Sequence, residues 1–165
     1  MDRDQALVTW ERLVLVIWRG ECTAIAVRRL EQAGTEALRQ HPRGVALMGI
    51  VEATASPPSS EMRKASALTN DRLAQLGLVG IAGVLSHSGF AGSVMRGVIT
   101  GLTMLQQVKY PFKVFENHTD GAAWLCKCLA ANKQHMGGLE CANVVGQYRS
   151  TYAEHWKRHF AATPR

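Results

Sequence analysis

The chain has 165 residues, 47% of them hydrophobic, and a formal charge of +6. A chain of this length forms one domain and buries roughly 70% of its unfolded surface, which excludes a disordered tail or a disulfide-stapled scaffold as its class. The charge excess lies late: residues 1–40 carry six basic and six acidic side chains, whereas from Cys126 onward six Lys or Arg face two Glu.

Four cysteines (Cys22, Cys126, Cys128, Cys141) and a polar start, Met1-Asp2-Arg3-Asp4, without the regions of a signal peptide, point to reduced thiols in a cytoplasmic protein. The longest apolar region, Leu78 to Leu105, is interrupted by Ser86-His87-Ser88 and Arg96, so no transmembrane segment is expected.

In chain order, Leu13 to Trp18 is β-branched and aromatic and reads as a first strand, begun near Trp10 and closed by Arg19-Gly20. Thr23 caps a helix with Ile25, Val27, Leu30, Ala33, Ala37 and Leu38 on its inner side, ended by His41-Pro42-Arg43-Gly44. Val45 to Val51 is an apolar run suited to a strand covered on both faces. After Pro57-Pro58, Ser59 or Ser60 starts a helix to about Gln75, with Met62, Ala65, Leu68 and Leu73 facing inward and Gly77 as its stop.

Leu78 to Leu85 is a third buried strand, whose two glycines imply close approach by a neighbouring element. A helix is expected from about Phe90 to Gln106, with a small-residue stripe of Ser93, Gly97 and Gly101 for close packing on the sheet or, alternatively, a homodimer contact. Phe112 to Phe115 alternates as a shorter strand. Thr119 or Asp120 caps the next helix, Gly137-Gly138 marks a hinge, and Leu139 to Phe160 is a long amphipathic helix with an aromatic stripe. Strands alternating with helices imply an α/β fold of four or five mostly parallel strands packed with helices. The expected division is an α/β domain over residues 8–130 and a C-terminal helical extension over 138–162.

Trp18-Arg19-Gly20-Glu21-Cys22-Thr23, Ile50-Val51-Glu52, Pro57-Pro58-Ser59, Gly89-Phe90-Ala91, Arg96-Gly97-Val98, Pro111-Phe112, Phe115 and Ala122-Ala123-Trp124-Leu125 occur in that order. On these pieces the run from Val14 to Leu125, about two thirds of the chain, resembles the STAS-like superfamily. This is the fold of the bacterial anti-sigma-factor antagonists and of an uncharacterised STAS-related bacterial group. The resemblance implies a domain that acts by binding a partner. It also implies a switch position at the start of the second main helix, where the antagonists carry a phosphorylated Ser; Ser59 and Ser60 match it. The antagonists' Asp-Ser-Ser-Gly is replaced here by Pro-Pro-Ser-Ser-Glu.

Read from the residues, Ser59 and Ser60 lie where helix amides favour an oxygen or phosphate, and as plain caps they stabilise the helix by about 1 kcal/mol. Gly89-Phe90-Ala91-Gly92, with Arg96 one turn on, lacks both the Walker and the dinucleotide spacing and reads as a tight turn. Cys126 and Cys128 point about 200° apart on a helix, and His155 and His159 share a face beside Lys157 and Arg158 with no metalloprotease glutamate, so no metal is expected.

The expectation is therefore a non-enzymatic, cytoplasmic interaction or regulatory domain that binds another protein through Ser59, Ser60, Arg63, Gly89, Phe90 and Arg96. It needs no cofactor, and nucleic acid is a disfavoured partner for its basic C-terminal helix. One alternative is a small apolar ligand or lipid held near Phe90, Phe112 and Trp124. A second is a hydrolase-like enzyme using Ser59 or Cys22 with His87 or His118.

Overall fold

The computed structural model describes residues 1–85 and 110–160. Among them are five strands, β1 (Gln5–Trp10), β2 (Leu13–Trp18), β3 (Val45–Val51), β4 (Leu78–Leu85) and β5 (Phe112–Phe115), and four helices, α1 (Ala24–Gln40), α2 (Ser60–Leu76), α3 (His118–Ala131) and α4 (Gly138–Phe160). The strands form one sheet in the order β1-β2-β3-β4-β5, parallel throughout except for the antiparallel β1–β2 pair. The chain is thus an α/β fold on a mostly parallel sheet.

Sequential parallel strands joined by right-handed crossovers put their connecting helices on one face. Accordingly α1 and α2 cover the face carrying Val14, Val16, Val45, Leu47 and Ile81, and Leu30, Leu38 and Leu73 come down on it. The opposite face carries Leu15, Ile17, Met48, Ile50 and Val84 and is covered by α3 and α4 through Leu125, Leu129, Val145 and Tyr152. Burial on both faces is why β3 reads as an unbroken apolar run: Val45, Ala46, Met48 and Ile50 are each 0% exposed.

The single first strand expected near Trp10 is instead a hairpin, β1 turning back into β2 at Glu11. The turn contains no Gly, Asn or Pro; Glu11 itself takes the left-handed conformation, with φ 46. Two helical faces also differ from expectation. Ile25 is 55% and Leu68 58% exposed, and the inward face of α2 runs through Ala67, Thr69 and Leu73. The cause is the close α1–α2 crossing: a Cβ on Gly34 would lie 2.7 Å from a Leu73 methyl, so α2 is rotated to seat Leu73 on that glycine.

The glycines of β4 face opposite ways. Gly80 takes the α3 side, where a Cβ would stand 3.2 Å from Cys128 Sγ, a close approach of the kind the two glycines implied. Gly83 takes the α1–α2 side, where a Cβ would stand 3.7 Å from Phe112 Cζ. The expected Phe90–Gln106 helix with its stripe, and the residues Gly89, Phe90, Arg96 and His87, lie outside the described residues. Among the described residues, no helix is long and apolar enough to cross a membrane.

Candidate functional site

Parallel pairing of β2 to β5 brings the carboxyl ends of four strands to one edge, where Arg19-Gly20, Glu52 and Glu116-Asn117 emerge together. The loop after β3 is tied to the end of β2. Glu52 N–H donates to Trp18 O (2.9 Å), the Thr54 hydroxyl to Arg19 O (2.7 Å) and Ser56 N–H to Gly20 O (3.2 Å). These bonds hold residues 52–58 as a rim.

Beneath that rim, between the sheet and α1–α2, lies a cavity of about 200 Å³. Its floor includes Val16, Gly49 and Gly83, and its aromatic walls are Trp18 and Phe112. Leu30 of α1 and Ser66 and Asn70 of α2 close the helical side, while Cys22, Ser56 and Pro58 belong to the rim.

Ser59 is the N-cap of α2, its Oγ accepting the Met62 N–H at 3.2 Å. Ser59 and Ser60 are exposed, and Arg63 reaches back to donate to Pro58 O at 2.8 Å. The predicted switch residues therefore sit on the outer side of the loop whose inner side lines the cavity.

Phe112 and Trp124, expected to share a pocket, are on opposite faces of the sheet. Phe112 packs on the α1–α2 face and lines the cavity. Trp124 belongs to α3 on the other face and meets Phe115 with ring centroids 5.7 Å apart. Strand parity explains this, because Phe112 and Phe115 are three residues apart and so point to opposite faces.

Cys22 meets the Ser66 hydroxyl, but burial pushes its thiol above the ordinary value and Glu21 adds to this. That is the wrong direction for an activated nucleophile. Cys22 follows β2 and His118 follows β5, three strand spacings apart, roughly 14 Å. Ser59 donates to no described group that would polarise it, and its hydroxyl is occupied as a cap. Asn117, rather than Thr119 or Asp120, caps α3: its Oδ1 accepts the Asp120 N–H at 2.8 Å and its Nδ2 donates to Asp120 Oδ2 at 2.9 Å.

At the same edge, on the α3–α4 side, sits a charged group that the sequence does not announce. Glu52 is 7% exposed and takes both its oxygens to Arg149 of α4, Nε to Oε1 at 2.6 Å and Nη2 to Oε2 at 2.9 Å. His118 lies against them; a Cβ on Gly146 would be 3.4 Å from its Nε2. Burial holds the His118 imidazole below its ordinary value of 6.5, Arg149 lowers it further, and Glu52 opposes both.

A histidine depressed in the folded state is matched by one that protonates normally in the unfolded chain. Acidification below about pH 6.5 therefore favours unfolding, until the folded value is passed. Urea midpoints measured from pH 7.5 to 5 should fall on the acid side, and His118→Gln should flatten that fall. His155, also lowered by desolvation and by His159, leaves a residual slope. An unchanged slope in His118→Gln would show that the imidazole titrates as in the unfolded chain.

Among the described residues, no group of three His, Cys, Asp or Glu side chains is placed to hold a metal ion. The chain matches no family model, no curated protein and no solved structure.

Proposed function

We propose that this chain is a non-enzymatic binding domain of the STAS-like kind, which takes a small apolar ligand in the cavity and reports its occupancy to a protein partner at the start of α2. One observation carries the reading: the loop after β3 contributes Ala55, Ser56 and Pro58 to the cavity and continues directly into exposed Ser59 and Ser60. A change on its inner side is felt within two residues on its outer side. The position at the carboxyl end of parallel strands is where open α/β sheets bind their ligands. The lining is predominantly apolar with a few polar groups, the composition of a small-molecule site.

The STAS-like assignment rests on the ordered sequence pieces together with sequential parallel strands and an exposed, serine-capped second helix. Phosphorylation of Ser60 would add about −1.5 to −2 charges beside the rim and serve as a second input to the same surface.

Hydrogen–deuterium exchange with and without the apolar probes indole and 1-octanol tests the reading. Saturable binding should slow exchange at Gly49 and Gly83 and also across Thr54–Ser60. Binding that protects the strands and leaves the loop unchanged would separate the cavity from the partner surface. Absence of saturable binding by either probe would overturn the ligand function.

A further inference from the structure

We infer that the ligand is a neutral, flat aromatic molecule of one or two rings, lying on a bare patch of sheet made by Gly49 and Gly83; this rests on the cavity reading above. Strand register places Val16, Gly49, Gly83 and Val114 in one row across β2 to β5. The two central strands therefore present adjacent glycines on the cavity face. Together they expose peptide about two strand spacings wide, roughly 10 Å, with no side chain of the described residues standing on it.

Packing with the described residues does not require either glycine. A Cβ on Gly49 would meet Val16 Cγ1 at 3.8 Å, and one on Gly83 would meet Phe112 Cζ at 3.7 Å and Val114 Cγ2 at 3.8 Å. Those are ordinary van der Waals separations. At Gly44, by contrast, a Cβ would fall 2.6 Å from Val79 on a backbone with φ +136. Glycine inside a strand carries an entropic cost and contributes no side-chain packing. Two of them side by side, at the floor of a cavity, leave room of a definite shape: broad and flat.

The walls agree with that shape. Trp18 and Phe112 stand at the β2 and β5 sides and offer ring faces or edges to an aromatic guest. Volume sets the size. An apolar cavity of about 150 Å³ accommodates benzene, so about 200 Å³ suits a substituted single ring or a compact bicycle. Charge sets the class, since no Asp, Glu, Lys, Arg or His is among the described lining residues. Burying an ionised group there would be strongly unfavourable. Ser66 and Asn70 supply hydrogen-bonding capacity for one neutral polar substituent.

The experiment is calorimetric titration of the full chain with indole, indole-3-acetate and 1-octanol, with amide NMR at Gly49 and Gly83. Indole should bind saturably and shift both glycine resonances. The other two should bind about tenfold or more weakly, indole-3-acetate for its charge and 1-octanol for its shape. The double variant Gly49→Ala/Gly83→Ala should keep its thermal midpoint and lose at least about tenfold in indole affinity.

Binding of 1-octanol or indole-3-acetate as tight as that of indole would overturn the inference while leaving the cavity reading in place. Unchanged indole affinity in the folded double variant would do the same. Failure of all three probes to bind would remove both. Should the double variant not fold, the three-probe comparison on the unmodified chain decides alone.

Discussion

Replacing Arg149 by methionine should lower the unfolding free energy by about 3 kcal/mol, measured by urea denaturation at pH 7. Breaking a buried ion pair from one side costs about 3–5 kcal/mol, because the remaining charge stays desolvated. Glu52 is the member left behind, its side chain only 10% exposed, whereas the Arg149 side chain is 30% exposed, which argues for the lower end of that range. For a domain of this size the thermal midpoint should drop by roughly 6–12 °C.

The mechanism makes a further demand on the Arg149→Met result. Removing the charge as well, in Glu52→Gln/Arg149→Met, should return much of the loss, since an amide is far cheaper to desolvate than a carboxylate. A loss in Arg149→Met below about 1 kcal/mol would mean that Glu52 finds water when its partner is removed.

This ion pair marks the limit of what could be read from residues alone. Its members are 97 positions apart and neither belongs to a local pattern. Glu52 looks like the polar residue that ends any strand, and Arg149 like any basic residue on a helix. The apolar runs of β3 and β4 were readable, with bounds at Val45–Val51 and Leu78–Leu85, because burial on both faces removes polar alternation. A cap at Ser59 or Ser60 was readable for an equally local reason, and the structure makes it Ser59.

The hairpin was not, since Trp10-Glu11-Arg12-Leu13 carries no turn residue and β1 contributes Gln5 and Thr9 to an edge strand. Gly49 and Gly83 were each visible as a glycine within an apolar run. Their adjacency exists only through the β3–β4 register, which shifts at Val45/Ala46 and has no local signature. The pairing of Phe112 with Trp124 failed because the face of a strand residue is a matter of parity, and that of a helix residue a matter of which side of the sheet the helix covers.

The second large effect is expected at Tyr152, a fully buried side chain in the middle of α4. Its hydroxyl donates to Asp2 O at 3.0 Å and lies 3.3 Å from Arg3 O, while Trp156 Nε1, one turn on, donates to Arg3 O at 2.9 Å. Burial and the neighbouring Asp2 push the phenol up, so it stays a donor across the physiological range. The Arg19 guanidinium stands 5.8 Å from the Tyr152 ring and 5.6 Å from the Trp156 ring. Arg19 Nε is buried without a hydrogen-bond partner among the described residues, and the two aromatic faces supply favourable contact to its guanidinium. One side chain thus fastens the C-terminal helix, the segment leading into β1 and the end of β2. Tyr152→Ala should cost about 3–5 kcal/mol as a buried aromatic truncation, and Tyr152→Phe about 1 kcal/mol as a lost hydrogen bond. Limited trypsin digestion should separate the two variants further. Cleavage after Arg3 should accelerate strongly in Tyr152→Ala and little in Tyr152→Phe, where the ring still packs. Equal cleavage rates in the two, with a stability loss below about 1.5 kcal/mol in Tyr152→Ala, would mean that Trp156 alone holds the N-terminal segment and that the Tyr152 ring is replaceable.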